Sequence, residues 1–182
     1  MIEVSHLRAI LDYEPTSGVL TWRDRSLETF RCQEKERKRV HSRWKLLKAG
    51  KVAGHVNQYG YRILCIEHKS IPAHRAAWAI HYGEWPKGQI DHINHNKDDN
   101  RLGNLRDATA SENSRNRSIP AHNASGAIGV HFNKPSGKWH ARIFHDGKRI
   151  HLGAFKEKAE AIAARKAANA RFDYHENHGE EV

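Results

Sequence analysis

Asp91 and His92 are adjacent, Asn104 lies thirteen residues beyond Asp91, and Asn113 lies twenty-two beyond it. They sit in QIDHINHNKDDNRLGNLRDATASENSRNRS, residues 89–118, which is poor in apolar side chains and dense in Asp, His, Asn and Arg. A solvated loop and an active site for a charged substrate both fit that composition. The chemistry separates them better. Asp and Asn oxygens are hard ligands, suited to Mg²⁺ or Mn²⁺. Two such ligands leave positions for water and a phosphate oxygen. A histidine next to one ligand can face the other way and take a proton from water. Metal plus general base is an arrangement that cleaves phosphodiesters. The bland alternatives are a structural Asp–His pair and an ordinary Asn-rich loop. Most of the fifteen His read as surface or capping residues. A zinc site on His95 lacks partners at tetrahedral spacing.

The elements that must position these residues can be read from periodicity. Residues 3–12 predict a short amphipathic helix with Val4, Leu7, Ile10 and Leu11 on one face. YEPTSG is a turn and VLTWR a short strand. In GYRILCIEHKSIPAHRAAWAIHYGEWP, Tyr61, Ile63 and Cys65 alternate along a strand. A helix follows, carrying Ala76, Ala77, Trp78 and Ile80 and ending at Gly83 and Pro86. GQIDH then makes a strand with Asp91 and His92 at its end, and ASENSRNR starts a helix at Asn113. SIPAHNASGA, residues 118–127, reads as a linker. Beyond it, AIGVHF, KWHARIFH and KRIHLGAF are three strand candidates, with a DG hairpin turn between the last two. An Ala-rich helix closes the chain, its predicted apolar stripe being Ala159, Ile162, Ala163, Ala167, Ala170 and Tyr174. Three strands and one helix make a two-layer unit with one sheet face open.

Charge points to the partner. The chain has 182 residues, 31 Lys and Arg against 21 Asp and Glu, and a formal charge of +10. For such a chain nucleic acid is the first expectation. Residues 31–51 hold nine basic and two acidic side chains, which reads as a solvated insert or as an arm that tracks phosphates. Residues 126–155 hold five basic and one acidic, residues 156–182 five and six. The positive charge therefore belongs to the sheet, whose open face could enter a major groove. No apolar run approaches membrane-span length, and the start of the chain lacks the features of a signal peptide. Cys32 and Cys65 read as reduced thiols of a cytoplasmic protein.

IDHINHNKDDNRLGNLRDATASENSRNR resembles the core of the HNH endonuclease family, closest to the phage and intron-encoded homing type with Asn at the third motif position. The match rests on Asp91–His92, on Asp99, Asn100 and Arg101, on Asn104, Leu105 and Arg106, and on Asn113. GVLTW, AGKVAG, GYRILCI, AHRAAW and GEWP resemble the flanks of such proteins. The resemblance implies an α+β chain with a ββα-metal site in a nuclease domain at 1–118. Asp91 and Asn113 would hold one divalent ion, Mg²⁺ or Mn²⁺. His92 would be the general base, and Asn104 would brace the loop that orients it. In-line attack on phosphorus would leave 5′-phosphate and 3′-hydroxyl ends. Arg115 and Arg117 are phosphate candidates.

GVHFNKPSGKWHARI…GKRIHLGAF…AEAIAARKAANARF resembles the AP2 DNA-binding domain: a small three-stranded antiparallel sheet plus one helix, over 126–175, after a linker at 119–125 and before a tail at 176–182. By position its DNA contacts would be His131, Lys138, Arg142, Arg149 and His151, with Trp139 in the core under the helix. His131 and His151 replace an Arg and a Trp of the plant pattern, so base preference does not transfer. Double-stranded DNA, a monomer with no obligate protein partner, and the cytoplasm of a host cell complete the expectation. The competing reading is a regulator or architectural protein that binds DNA without cutting it.

Overall fold

The computed structural model describes residues 2–30, 32–116, 119, 123–175 and 178–179. The chain divides into two compact units, residues 1–107 and 108–182, each built from helices and small antiparallel sheets.

In the first unit, α1 (Val4–Ile10) leads without a gap into β1 (Leu11–Glu14), which pairs antiparallel with β2 (Val19–Trp22). The sequence pattern puts residues 11 and 12 in the helix and 13 and 14 in the turn. They instead form a strand whose first residue, Leu11, is buried in the core, so the same apolar pattern serves a different backbone. The basic segment is largely helical: α2 (Glu34–Leu47) has no buried residue. It is tethered by Trp44, which stacks edge-on against Trp22 at 5.2 Å and Phe30 at 6.0 Å. Apart from the half-buried Arg37, the Lys and Arg of α2 are exposed to solvent.

A three-stranded sheet comes next, in the order β3 (His55–Val56), β4 (Arg62–Ile66), β5 (Lys69–Pro72), all antiparallel. The predicted alternation has the wrong phase for burial. Leu64 and Ile66 face the core and Cys65 is exposed. Leu and Ile there outweigh a thiol as burial partners. α3 (Ala73–Tyr82) packs its alanines into the same core, Ala73, Ala76, Ala77 and Ala79 all being buried. Gly83 ends it in the left-handed conformation at φ 84°. Finally β6 (Gln89–His92) pairs with β7 (Leu105–Ala108).

In the second unit, α4 (Ala110–Ser114) opens with a capping box between Thr109 and Glu112. An antiparallel sheet of β8 (Val130–Asn133), β9 (Lys138–His145) and β10 (Lys148–Phe155) carries α5 (Lys158–Arg171) on one face. The helix is rotated from the predicted stripe: Ala159, Ala163, Ala167 and Ala170 are exposed, and Ala161, Arg165 and Ala168 are buried. Alanine is nearly indifferent to exposure, so an Ala-rich helix gives a weak phase signal. The larger Val130, Ile143, Trp139 and Leu152 set the rotation. Trp139 lies on the helix side of the sheet and packs against that core.

Candidate active site

β6 carries the chemistry. Its residues Ile90, Asp91 and His92 are all buried, and among the described residues the strand pairs with β7 alone. Its start is pinned by Asp107, whose carboxylate accepts the backbone N–H groups of Lys87 and Gly88 at 2.8 and 2.7 Å. Its end leads into the loop 93–104, which returns to β7.

That loop is stitched from within. Asn104 accepts the backbone N–H of Asn94 at 2.9 Å through Oδ1 and donates through Nδ2 to the carbonyl of Asp99 at 2.8 Å. Its own carbonyl accepts the N–H of Ile93. One buried amide thus ties the two ends of the loop to its middle. Asn94 Nδ2 donates to Asp99 at 2.7 Å. Arg62 grips Asp98 with both Nε and Nη2 at 2.8 Å, fastening the loop to β4. The stretch that could have been solvated is a network of satisfied polar groups, a far more rigid object.

Asn100, at 2 % exposure the most buried polar residue here, faces His92. Its Oδ1 lies 3.4 Å from His92 Nε2, while its Nδ2 donates to the carbonyl of Asp98 at 3.1 Å. The second bond fixes the amide orientation, so an oxygen acceptor is presented to the ring. An acceptor there requires the proton on Nε2, which leaves Nδ1 with the basic lone pair. Asn100 is itself clamped by the N-terminal hairpin. The Tyr13 hydroxyl donates to its carbonyl at 2.8 Å, and Leu102 N–H bonds to the carbonyl of Pro15 at 3.0 Å. Gly18, at φ 74°, lies so close that a Cβ would sit 2.5 Å from the Asn100 carbonyl carbon.

His74, from the first turn of α3, packs edge-on against His92 with ring centroids 5.0 Å apart, and Tyr61 lies 5.5 Å from His74. Burial, with the charges of His92 and Arg75 adding to it, pushes His74 down to about 3. His74 is therefore neutral, an uncharged wall beside the base. Burial also lowers His92 below the ordinary histidine value, with the Asn100 hydrogen bond and Asp91 pulling it partly back. A lowered value keeps His92 unprotonated and able to accept a proton at neutral pH.

Asp91 is paired with Arg106 on the neighbouring strand. Nε at 2.9 Å and Nη2 at 2.7 Å both converge on Oδ2. This differs from Arg62 on Asp98, where the two donors take one oxygen each. Arg106 therefore engages a single oxygen of Asp91. The Asp91 carboxylate is a hard oxygen donor of the kind that Mg²⁺ or Mn²⁺ takes. Among the described residues there is no group of three or more His, Cys, Asp or Glu that could hold a metal.

The structure thus brings Asp91, His92 and Asn104 together on β6 and the loop it leads into. Asn113 stands on α4 in the second unit, with Arg115 as the residue that caps that helix. Arg117 lies outside the described residues. Sequence reasoning left three participants without a role here. Asn100 was visible as part of the Asp-Asn-Arg match. Arg106 was visible in the Asn-Leu-Arg match and His74 in the AHRAAW flank, but their roles come from strand pairing and helix packing.

In the second unit, cross-strand pairing places His131 opposite His140, Arg142 opposite His151, and Phe144 opposite Arg149. Direct partners and alternate residues share a face. His131, Lys138, Arg142, Arg149 and His151 therefore all stand on the sheet face away from α5, joined by His140. The three imidazoles form a row across the strands, His140 lying 5.7 Å from His131 and 5.4 Å from His151.

No described helix is long and apolar enough to cross a membrane. No solved structure matches the chain. Residues 72–115 match the family model described as HNH endonuclease. These residues run from the end of β5 to the C-cap of α4 and include His74, Asp91, His92, Asn100, Asn104 and Arg106. Protein 3.8 of Escherichia phage T7 is 36 % identical over 97 residues, a match spanning 53 % of this chain and 79 % of that protein. The chain belongs to the same family as that phage protein and carries an HNH nuclease domain.

Proposed function

We propose that this chain is a metal-dependent DNA endonuclease of the homing type, in which His92 is the general base. The observation that carries the reading is the buried His92 imidazole, held by Asn100 with its basic nitrogen at Nδ1, directly after a buried carboxylate. Asp91 and Asn113 would hold one Mg²⁺ or Mn²⁺ ion. That ion would supply charge neutralisation at the phosphate and at the departing 3′ oxygen. His92 would take a proton from the attacking water through Nδ1. Asn104 and Asn100 would hold the ring and the loop in place, and Arg106 would orient Asp91 through Oδ2. Arg115 and Arg117 would lie along the phosphate backbone.

Targeting would come from the second unit acting as an AP2-like reader. Its open sheet face would present His131, Lys138, Arg142, Arg149 and His151 to a major groove, with His140 among them. The basic helix α2 would add sequence-independent phosphate contacts. Two weak DNA-binding units on one chain gain affinity by effective concentration, so a monomer in the cytoplasm of a phage host suffices. One base and one ion would cut one strand at a time.

Supercoiled plasmid incubated with Mg²⁺, Mn²⁺ or EDTA tests this. Wild type should give open-circle or linear product only with metal. His92→Ala should lose about 10²–10⁴-fold in rate while binding the duplex as before. Native-rate cleavage by His92→Ala would refute the assignment of the base. Tight duplex binding without product in any metal, on DNA carrying the target site, would favour a non-cleaving regulator.

A further inference from the structure

Arg165 is an anomaly in the second unit. It lies on the face of α5 that packs against the sheet, and it is 4 % exposed. Arginine remains charged in proteins, so a cation sits in this small core. Its Nη2 meets His178 Nε2 at 3.2 Å, and its guanidinium lies 4.8 Å from the centre of the Tyr174 ring. Neither contact is with a carboxylate. Nε and Nη1, carrying three of the five N–H donors, are buried with no hydrogen-bond partner. Buried cations are ordinarily paired with an anion or fully hydrogen-bonded. Among the described residues, no acidic side chain forms an ion pair with Arg165.

The space beside it is shaped for what is missing. Arg165 lines a cavity of about 280 Å³ together with Arg142, Arg149, Tyr174, His178 and Gly129, and among the described residues no Asp or Glu is in its walls. Gly129, at φ 81°, leaves room for the guanidinium: a Cβ there would lie 2.8 Å from Arg165 Nε. Arg142 and Arg149 belong to the open sheet face as well as to this lining. The cavity therefore adjoins the surface assigned above to DNA.

We propose that this cavity is a phosphate site in which Arg165 receives a phosphodiester oxygen of the duplex. Identifying the source as duplex DNA rests on the DNA-binding reading of this unit; the need for an oxyanion does not. Three buried, unpartnered N–H donors match an oxyanion, and planar arginine donors suit phosphate well. A phosphate entering from the edge of the sheet would position the protein along the backbone without reading sequence.

Thermal melting of the full chain tests the site, with inorganic phosphate compared against chloride at matched ionic strength. Phosphate at ten times its Kd should raise the melting temperature of a unit this size by about 6–11 °C. Arg165→Met should melt at or above the phosphate-free wild type, since an unpaired buried charge is removed, and should not respond to phosphate. Arg165→Lys should keep a reduced response. A wild type indifferent to phosphate overturns the proposal, and so does an Arg165→Met variant that keeps the full response. Duplex binding against salt then tests the source. Arg165→Met should lower the slope of log K on log salt by about 0.9, one phosphate contact. An unchanged slope with an intact phosphate response in wild type would overturn the backbone assignment. Loss of all duplex binding by the wild type, with the phosphate response retained, would count against the DNA-binding reading and leave the site standing.

Discussion

Replacing Asn100 separates two ways in which an enzyme can depend on a buried amide. In Asn100→Leu the volume is nearly kept and the acceptor facing His92 Nε2 is lost. The hydrogen bond is long, 3.4 Å, so its net contribution lies at the lower end of the usual range, roughly 0.5–1 kcal/mol. At 1.4 kcal/mol per factor of ten, cleavage should fall about 2–5-fold through the smaller share of the reactive tautomer. Asn100→Asp keeps an acceptor and adds a negative charge. A nearby negative charge favours the protonated ring and raises the His92 pKa. The unprotonated ring is the working base, so the acid limb of the rate profile should move to higher pH, with the plateau above it kept. Both variants should be compared with His92→Ala in single-turnover cleavage across pH, with circular dichroism to confirm folding. A folded Asn100→Leu that loses as much as His92→Ala would refute the tautomer argument, because an orienting bond cannot cost what the base itself supplies. An Asn100→Asp profile that superimposes on wild type would refute it from the other side.

Gly18→Ala should destabilise the first unit by at least about 2 kcal/mol, combining left-handed backbone strain with a Cβ only 2.4 Å from Arg101 N. Denaturant titration measures this, and a loss under about 0.5 kcal/mol would show that the hairpin yields freely. His74 has a folded pKa of about 3 against 6.5 for the free side chain. Its neutral burial therefore contributes stability above pH 6.5 that is lost as pH falls towards 3, at about 1.4 kcal/mol per pH unit. His74→Phe should flatten that acid slope in melting experiments, and an unchanged slope would place the proton uptake elsewhere. Arg142→Ala and Arg149→Ala should each weaken duplex binding and lower the salt slope by about 0.9 if each contacts one phosphate. Loss of affinity at one sequence only, with the slope intact, would instead mark a base contact.

Much of the frame was legible because it rests on strong local signals. The DG turn before Lys148, the left-handed stop at Gly83 and the placement of Asp91 and His92 at a strand end come from short-range chemistry. The phase of burial was harder. In β4 every residue from Ile63 to Ile66 is apolar, so alternation has no contrast, and tertiary packing selects Leu64 and Ile66. In α5 alanine on nearly every face has the same effect, and a buried Arg165 inverts the usual rule that charge marks the solvent side. The basic character of the three-stranded sheet was readable in outline from charge alone, but His140 emerged only when the register put it between His131 and His151. The pairing of Arg106 with Asp91 required knowing that β7 lies beside β6.

The hold of the N-terminal hairpin on the loop has a consequence for how such a cutter can be moved between contexts. The segment 72–115 looks like a portable cassette, yet its central amide is gripped by Tyr13, crowded by Gly18 and flanked by the carbonyl of Pro15. Grafting that cassette alone onto another targeting module would discard the vice and keep the jaws. Fusion designs should carry the chain from α1 onward as one indivisible cutting part and vary only the residues beyond α4. Recombination between related genes should obey the same rule, with crossovers tolerated beyond α4 and penalised between Tyr13 and Asn100.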